Sequence, residues 1–252
     1  NQLTNILTME INWWDRDYRT PMESYKDVPG FINESETIYE EIVSKIQLDQ
    51  MVKPDEKYHV VELGTFLGQS ACRMASLINE YEIRNIKFDS IDLFWLPMHI
   101  MNTRTDWDKE TQSGIPPSFH QYINWLQEIV INETGHPLSP IDVSKHPVRQ
   151  LGLDDFVNFI TCDSQYAARL YDDETLDFVW CDACHNYEYI LKELDTFWPK
   201  IKRGGTIAGD DYNTEDVQKA VQTFIKQHPK DIISVKTTDI SYKKTKAHAK
   251  LK

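Results

Sequence analysis

From residue 58 onward, short apolar runs alternate with stretches whose apolar residues recur every three to four positions, and that alternation leaves few architectures open. The runs predict strands at Tyr58–Leu63, Lys87–Asp92, Val157–Thr161, Leu176–Cys181, Gly205–Gly209 and Ile232–Lys236. Between them, Ala71, Met74, Ala75 and Ile78 mark one helical face. Tyr187, Ile190, Leu191, Leu194, Phe197 and Trp198 mark a second, stopped by Pro199. Val217, Ala220, Val221, Phe224 and Ile225 mark a third, with Thr214 its expected N-cap. Strands interleaved with helices make an α/β sheet.

Two regions break the rhythm. Residues 1–57 read as an N-terminal arm with one helix, its face carrying Tyr39, Ile42, Val43 and Ile46 and its start marked by Asn33 and Glu36. The Trp13-Trp14 pair in this arm is expected to pack on the core. Residues 93–156 are longer than a crossover needs; they hold Phe94, Trp95 and Trp107, a helix near 119–132, and a turn region with Pro137, Pro140 and Pro147. Extra chain at this edge of a sheet reads as a lid or pocket wall. The domain division expected is therefore 1–57 and 58–252, with 93–156 inserted in the second.

Charge and composition exclude several classes. Against 27 Lys and Arg stand 40 Asp and Glu, a net charge of −13, which is the wrong sign for a dedicated nucleic-acid binder. Residues 226–252 run the other way, with eight Lys against two Asp, and read as a solvated last strand and tail. No apolar run approaches the roughly 18 residues of a membrane helix, and the first thirty residues lack the form of a secretory signal. Four cysteines (Cys72, Cys162, Cys181, Cys184) are too sparse for a disulfide framework. A reduced, cytoplasmic protein is expected.

In an open α/β sheet, ligands sit beyond the carboxyl ends of the strands. The first strand delivers Glu62-Leu-Gly64-Thr65-Phe-Leu-Gly68-Gln69-Ser70, a glycine turn preceded by a carboxylate and without the GxGxxG spacing of dinucleotide binders, so an NAD-dependent oxidoreductase is disfavoured. The second ends in Asp92, suited to accept from ribose hydroxyls, and the third in Asp163-Ser164, suited to read an adenine edge. Acids around a nucleoside site without a phosphate cradle fit a cationic nucleoside, for which S-adenosylmethionine is the candidate. The fourth strand runs into Asp182-Ala-Cys-His185 and the fifth into Asp210-Asp211-Tyr212. Carboxylates gathered at neighbouring strand ends repel unless a cation lies among them, and an oxygen-donor set suits Mg²⁺, or Mn²⁺ and Ca²⁺ less specifically. The competing reading is structural, with Asp182 a helix cap and Asp210 and Asp211 turn formers. His185, three residues beyond Asp182, can face the same cavity and take a proton from a hydroxyl; otherwise it is a surface histidine.

Together VVELGTFLGQS, SIDLF, CDSQ, DFVWCDACHNYEYILKELDTFWPKIKRGG and TIAGDDY resemble class I S-adenosylmethionine-dependent methyltransferases, in particular the metal-dependent O-methyltransferases of the catechol and antibiotic-tailoring sugar types. The resemblance spans roughly residues 58–240. It implies a Rossmann-like three-layer sandwich with a mostly parallel seven-stranded sheet. It also implies cofactor contacts from Glu62, Gly64, Thr65, Gly68, Gln69, Ser70, Asp92, Asp163 and Ser164, metal ligation by Asp182, Asp210 and Asp211, and catalysis by His185. Catechol-type members carry lysine where His185 stands, whereas the sugar-modifying branch carries histidine, which points to a sugar or vicinal-diol acceptor. The expected partners are a small hydroxyl acceptor and neither nucleic acid nor membrane, with a homo-oligomer left open. The alternatives are a non-catalytic module on the same fold and an N-directed or hydroxylase-associated activity.

Overall fold

The computed structural model describes residues 17–32, 35–95 and 117–229, and the backbone of two further strands at 232–240 and 244–251. Trp13, Trp14, Asn33 and Trp107, singled out above, lie outside the described residues.

The chain runs α1 (Ser35–Val52), β1 (Tyr58–Leu63), α2 (Gln69–Glu80), β2 (Ile86–Asp92), α3 (Pro117–Thr134), α4 (Pro140–Gln150), β3 (Asn158–Thr161), α5 (Ser164–Ala167), β4 (Leu176–Cys181), α6 (Tyr187–Phe197), β5 (Ile201–Gly209), α7 (Glu215–Gln227), β6 (Ile232–Ile240) and β7 (Lys244–Leu251). The seven strands form one sheet in the order β3-β2-β1-β4-β5-β7-β6. The first five are mutually parallel, and β7 pairs antiparallel with both β5 and β6. This is the expected Rossmann-like, mostly parallel arrangement. The strand order reverses direction between β1 and β4, the kind of switch point beside which open α/β sheets bind ligands.

Two apolar layers enclose the sheet. One contains Tyr39, Ile42 and Val43 of α1, Ala71, Met74 and Ile78 of α2, and Phe119, Tyr122 and Val143 from the insertion, packed on Val60 and Phe178. The other contains Ile190, Leu194 and Phe197 of α6 and Val217, Ala220 and Phe224 of α7, packed on Val61, Leu63 and Val179. Burying a side chain of this size stabilises by about 1.5–3 kcal/mol, so the three helical faces read from the sequence are what hold the layers together. The arm's Tyr18, Met22, Tyr25 and Val28 share the first of these layers. None of the described helices is long and apolar enough to cross a membrane.

Three expectations need correction. The lysine-rich end is not a strand followed by a tail: Lys244–Leu251 inserts between β5 and β6 as a seventh strand. Its Lys-Thr-Lys-Ala-His-Ala-Lys-Leu alternation has the period of a strand, which the charge count conceals. The proline-rich region is not a turn but α4, with Pro140 in the first turn and Pro147 inside. Proline suits the first turn because that amide lacks a helical partner anyway. Pro147 cannot donate to the carbonyl of Val143; the Tyr122 hydroxyl donates to that oxygen instead, at 3.0 Å. Finally, Thr214 occupies the N-cap of α7 without capping it; its hydroxyl donates to the Asp211 carbonyl at 2.9 Å.

Candidate active site

The carboxyl ends of β1, β2, β4 and β5 and the start of α5 border one cavity of about 770 Å³. The β1–α2 turn is pinched on both sides. Gly64 has φ 96°, and a Cβ there would fall 2.2 Å from the Asp182 carbonyl oxygen; Gly68 has φ 95°, and its Cβ would fall 2.7 Å from the Ser144 carbonyl oxygen. Only glycine meets both demands. Gly64 lines the cavity, whereas Gly68 serves the packing of α4 against the turn and does not.

The other residues expected around a cofactor divide in the same way. Thr65, Ser70, Asp92, Asp163 and Ser164 line the cavity. Asp92 already accepts from the amides of Thr65 (2.8 Å) and Phe66 (3.1 Å) at Oδ2 and of Phe94 (2.7 Å) at Oδ1. It is thus a clamp on the glycine turn, with about one acceptor position left for a ribose hydroxyl. Asp163 caps α5, its Oδ1 accepting from the Gln165 amide at 2.9 Å. Glu62 does not reach the cavity. It is 1% exposed and lies on the α1 side of the sheet, accepting from the hydroxyls of Ser90 (2.5 Å) and Tyr39 (3.2 Å). Burial pushes its carboxyl up to about 7 despite these hydrogen bonds. Gln69 lines the cavity but its amide is engaged, accepting from Ile32 N–H at 3.0 Å and donating to Val28 O at 2.8 Å. It ties the N-terminal arm across the turn.

At the other end of the cavity, Asp182, His185 and Asp211 converge. One ligand atom from each lies within 4.8 Å of the others. His185 Nε2 stands 3.3 Å from Asp182 Oδ1 and 3.3 Å from Asp211 Oδ2. His185 is raised by its hydrogen bond to Asp182 and by the charge of the neighbouring aspartates. Asp182 is raised by burial, with the charges of Asp210 and Asp211 adding to the effect and His185 opposing it. The helix-cap reading of Asp182 fails, because the N-cap of α6 is Asn186; Asp182 stands free of the helix, in the loop after β4. Asp211 does form a turn, with φ 56° and its carbonyl accepting from Thr214 N–H at 2.9 Å. An aspartate tolerates this left-handed conformation better than most residues. Asp210 lines the cavity, its Oδ1 accepting from the Asp211 amide at 2.5 Å. Two carboxylates at these separations, with a third alongside, form an oxygen-donor set that a divalent cation of the Mg²⁺ or Mn²⁺ class fits, and the His185 imidazole stands next to it.

Sequence patterns missed part of the wall. Gly30, Phe31 and Ile32 of the arm line the cavity, as do Asn186 and Tyr189; Leu93 and Trp95, which open the inserted stretch read as a lid or pocket wall, line it too. Phe31, Trp95 and Tyr189 are 53%, 54% and 41% exposed, and large aromatic side chains flanking strand-end turns were the available signal. No residue of α3 or α4 lines the cavity, so the described helices of the insertion support the core, and among its described residues Leu93 and Trp95 form wall. The cysteines carry no disulfide.

Residues 61–212 match the family model described as a methyltransferase domain. A search of curated protein sequences finds no match. Among solved structures the chain is similar in fold to the O-methyltransferase NovP, at 16% identity with 83% of this chain and 79% of that chain covered and a TM-score of 0.53. It is similar to cofactor-bound Rv0187 from MTB, at 13% identity with 89% and 83% covered and a TM-score of 0.52. An rRNA methylase from Streptococcus thermophilus aligns at 9% identity over 85% and 95% with a TM-score of 0.50. With the family match covering more than half of its length, and including the glycine turn, Asp92, Asp163 and the acid–histidine cluster, the chain belongs to the methyltransferase-domain family, whose cofactor is S-adenosylmethionine.

Proposed function

We propose that this chain transfers the methyl group of S-adenosylmethionine to a hydroxyl of a small molecule, a sugar or other vicinal diol, with a divalent cation at the acidic cluster. The observation that carries the reading is the meeting of Asp182, His185 and Asp211 in the same cavity as Asp92, Asp163 and Ser164. A nucleoside site and a donor set for a cation thus share one space large enough for a cofactor and an acceptor. The O-methyltransferase NovP shares the fold, but so does an rRNA methylase, and the acceptor is therefore argued from the cluster and from charge. A net charge of −13 opposes the approach of a polyanion.

Asp182 and Asp211 would hold the cation, with Asp210 beside them. When bound, the cation would stabilise negative charge on an acceptor oxygen as a Lewis acid. His185 would accept the hydroxyl proton at Nε2, the ring nitrogen that faces the carboxylates, once a cation offsets the negative charge that raises the imidazole. Asp92 and the α5 start orient the nucleoside, so that the methyl donor and the oxygen meet in line without a search in solution. General-base help of this kind is worth roughly 10²–10⁴-fold. The test is mass spectrometry of a panel of sugars and diols incubated with methyl-labelled cofactor, with and without Mg²⁺, for the wild type and His185→Ala. Label on oxygen, dependent on Mg²⁺ and lost by about that factor in the variant, supports the reading; label on nitrogen, or full turnover by the variant, contradicts it.

A further inference from the structure

Glu193, on α6, is 1% exposed, and among the described residues its Oε1 has no hydrogen-bond partner. A buried polar atom left in that state is costly, so a fold retains one where something completes it. The side chain borders a small cavity of about 40 Å³, whose wall also includes Cys184, His185, Asp210 and Tyr212. That is room for a water molecule or two, and since most of the remaining wall is apolar, Glu193, His185, Asp210 and Tyr212 are the side chains there that could hold one. The Ser164 hydroxyl bonds to the same carboxylate, and Ser164 lines the main cavity. Glu193 therefore reaches toward the cofactor side through Ser164 and toward His185 through the small cavity.

His185 directs Nε2 at Asp182 and Asp211, which leaves Nδ1 as the nitrogen for a second hydrogen bond. The proton on one imidazole nitrogen is fixed by the hydrogen bond made by the other, commonly to a carboxylate or a water. We infer that Glu193 is a positioning residue for His185: Nδ1–H donates through water in the small cavity to Glu193 Oε1 and so holds the ring with Nε2 turned toward Asp182 and Asp211. The inference rests on the proposed role of His185 as proton acceptor. It adds a group that touches neither substrate nor cofactor and that fixes the ring which does.

The test uses the full chain with ¹⁵N-labelled histidine, comparing wild type, Glu193→Gln, Glu193→Leu, Ser164→Ala and His185→Ala at one pH. Glu193→Leu removes the acceptor and is expected to lower kcat by about 10- to 100-fold, with the Kd for S-adenosylmethionine unchanged and the Nδ1 resonance of His185 moved. Glu193→Gln keeps size and an acceptor oxygen; its loss should be smaller and its Nδ1 resonance intermediate, and it serves if the leucine variant does not fold. In the His185→Ala background, Glu193→Leu should lower kcat no further. An unmoved Nδ1 resonance in both variants overturns the inference. So does a loss that appears as weaker cofactor binding matched by Ser164→Ala, which would make Glu193 a support for Ser164 alone. Full turnover by His185→Ala would instead remove the proton-acceptor role, whatever the resonances show.

Discussion

Gly64 and Asp182 are locked together: a Cβ on Gly64 would lie 2.2 Å from the Asp182 carbonyl oxygen, and Asp182 N–H donates to the Leu63 carbonyl at 2.8 Å. The glycine turn of β1 and the first aspartate of the acidic cluster are therefore one mechanical unit. The glycine lines the cavity and at the same time lets the neighbouring strand end approach, and that is how the cluster is held beside the turn.

Gly64→Ala tests this unit. The left-handed φ alone costs about 1–3 kcal/mol for a residue with a side chain, and the clash must also displace Asp182. The variant should unfold several degrees lower and should bind Mn²⁺ more weakly than the wild type. A lower Tm with unchanged Mn²⁺ affinity would separate the turn from the cluster.

Gln69 gives a different signature. Its amide joins Ile32 and Val28 of the arm to the start of α2, and Phe31 beside them forms cavity wall. Gln69→Ala should speed hydrogen exchange at the Ile32 amide, because that donor loses its partner, while exchange in β1 and β4 stays as it was. Protection at Ile32 equal to the wild type would show that the arm is held by its apolar contacts alone.

Acid stability turns on Asp89, buried near the opposite end of the sheet from the cavity. Burial alone would raise its carboxyl, but His59 (2.7 Å), Lys87 (2.8 Å) and Asn158 (2.9 Å) outweigh that and hold it at about 2. Because the folded value lies below the unfolded one of about 3.9, the stabilisation is complete above pH 4 and is lost as pH falls toward 2. Its size is about 2–3 kcal/mol. Urea unfolding at pH 6 and pH 3 should show Asp89→Asn clearly weaker than wild type at the higher pH and closer to it at the lower. A gap that does not narrow with acid would mean the carboxylate's charge is not what stabilises.

Much of the fold is legible in the residues because buried strands and helical faces leave periodic apolar marks: Val60, Val61 and Leu63 in β1, and Ala71, Met74, Ala75 and Ile78 in α2, are all buried. α4 was not legible, since Pro147 reads as a break until the Tyr122 hydroxyl is seen on the carbonyl it leaves unbonded. Nor was β7, whose alternating partners are lysines and small residues in place of large apolar ones. At the site, the acids at the strand ends could be read, but their local work could not. Asp92 spends most of its acceptors on backbone amides, and Glu62 accepts from Tyr39 of the helix packed on its own face of the sheet. The two lie on neighbouring strands with their side chains on one face of the sheet, yet Glu62 is buried within β1 whereas Asp92 ends β2 at the cavity. Cavity walls drawn from the arm, such as Gly30 and Phe31, depend on a contact about forty residues away in sequence, which no local pattern encodes.

The most direct test of a cation at the acidic cluster is a Mn²⁺ titration followed by electron paramagnetic resonance, with S-adenosylmethionine present, on wild type, Asp182→Asn and Asp211→Asn. One Mn²⁺ bound per chain in the wild type, weakened by about tenfold or more in each variant, is the expected result; equal Mn²⁺ binding by all three proteins, or none by the wild type, would contradict it.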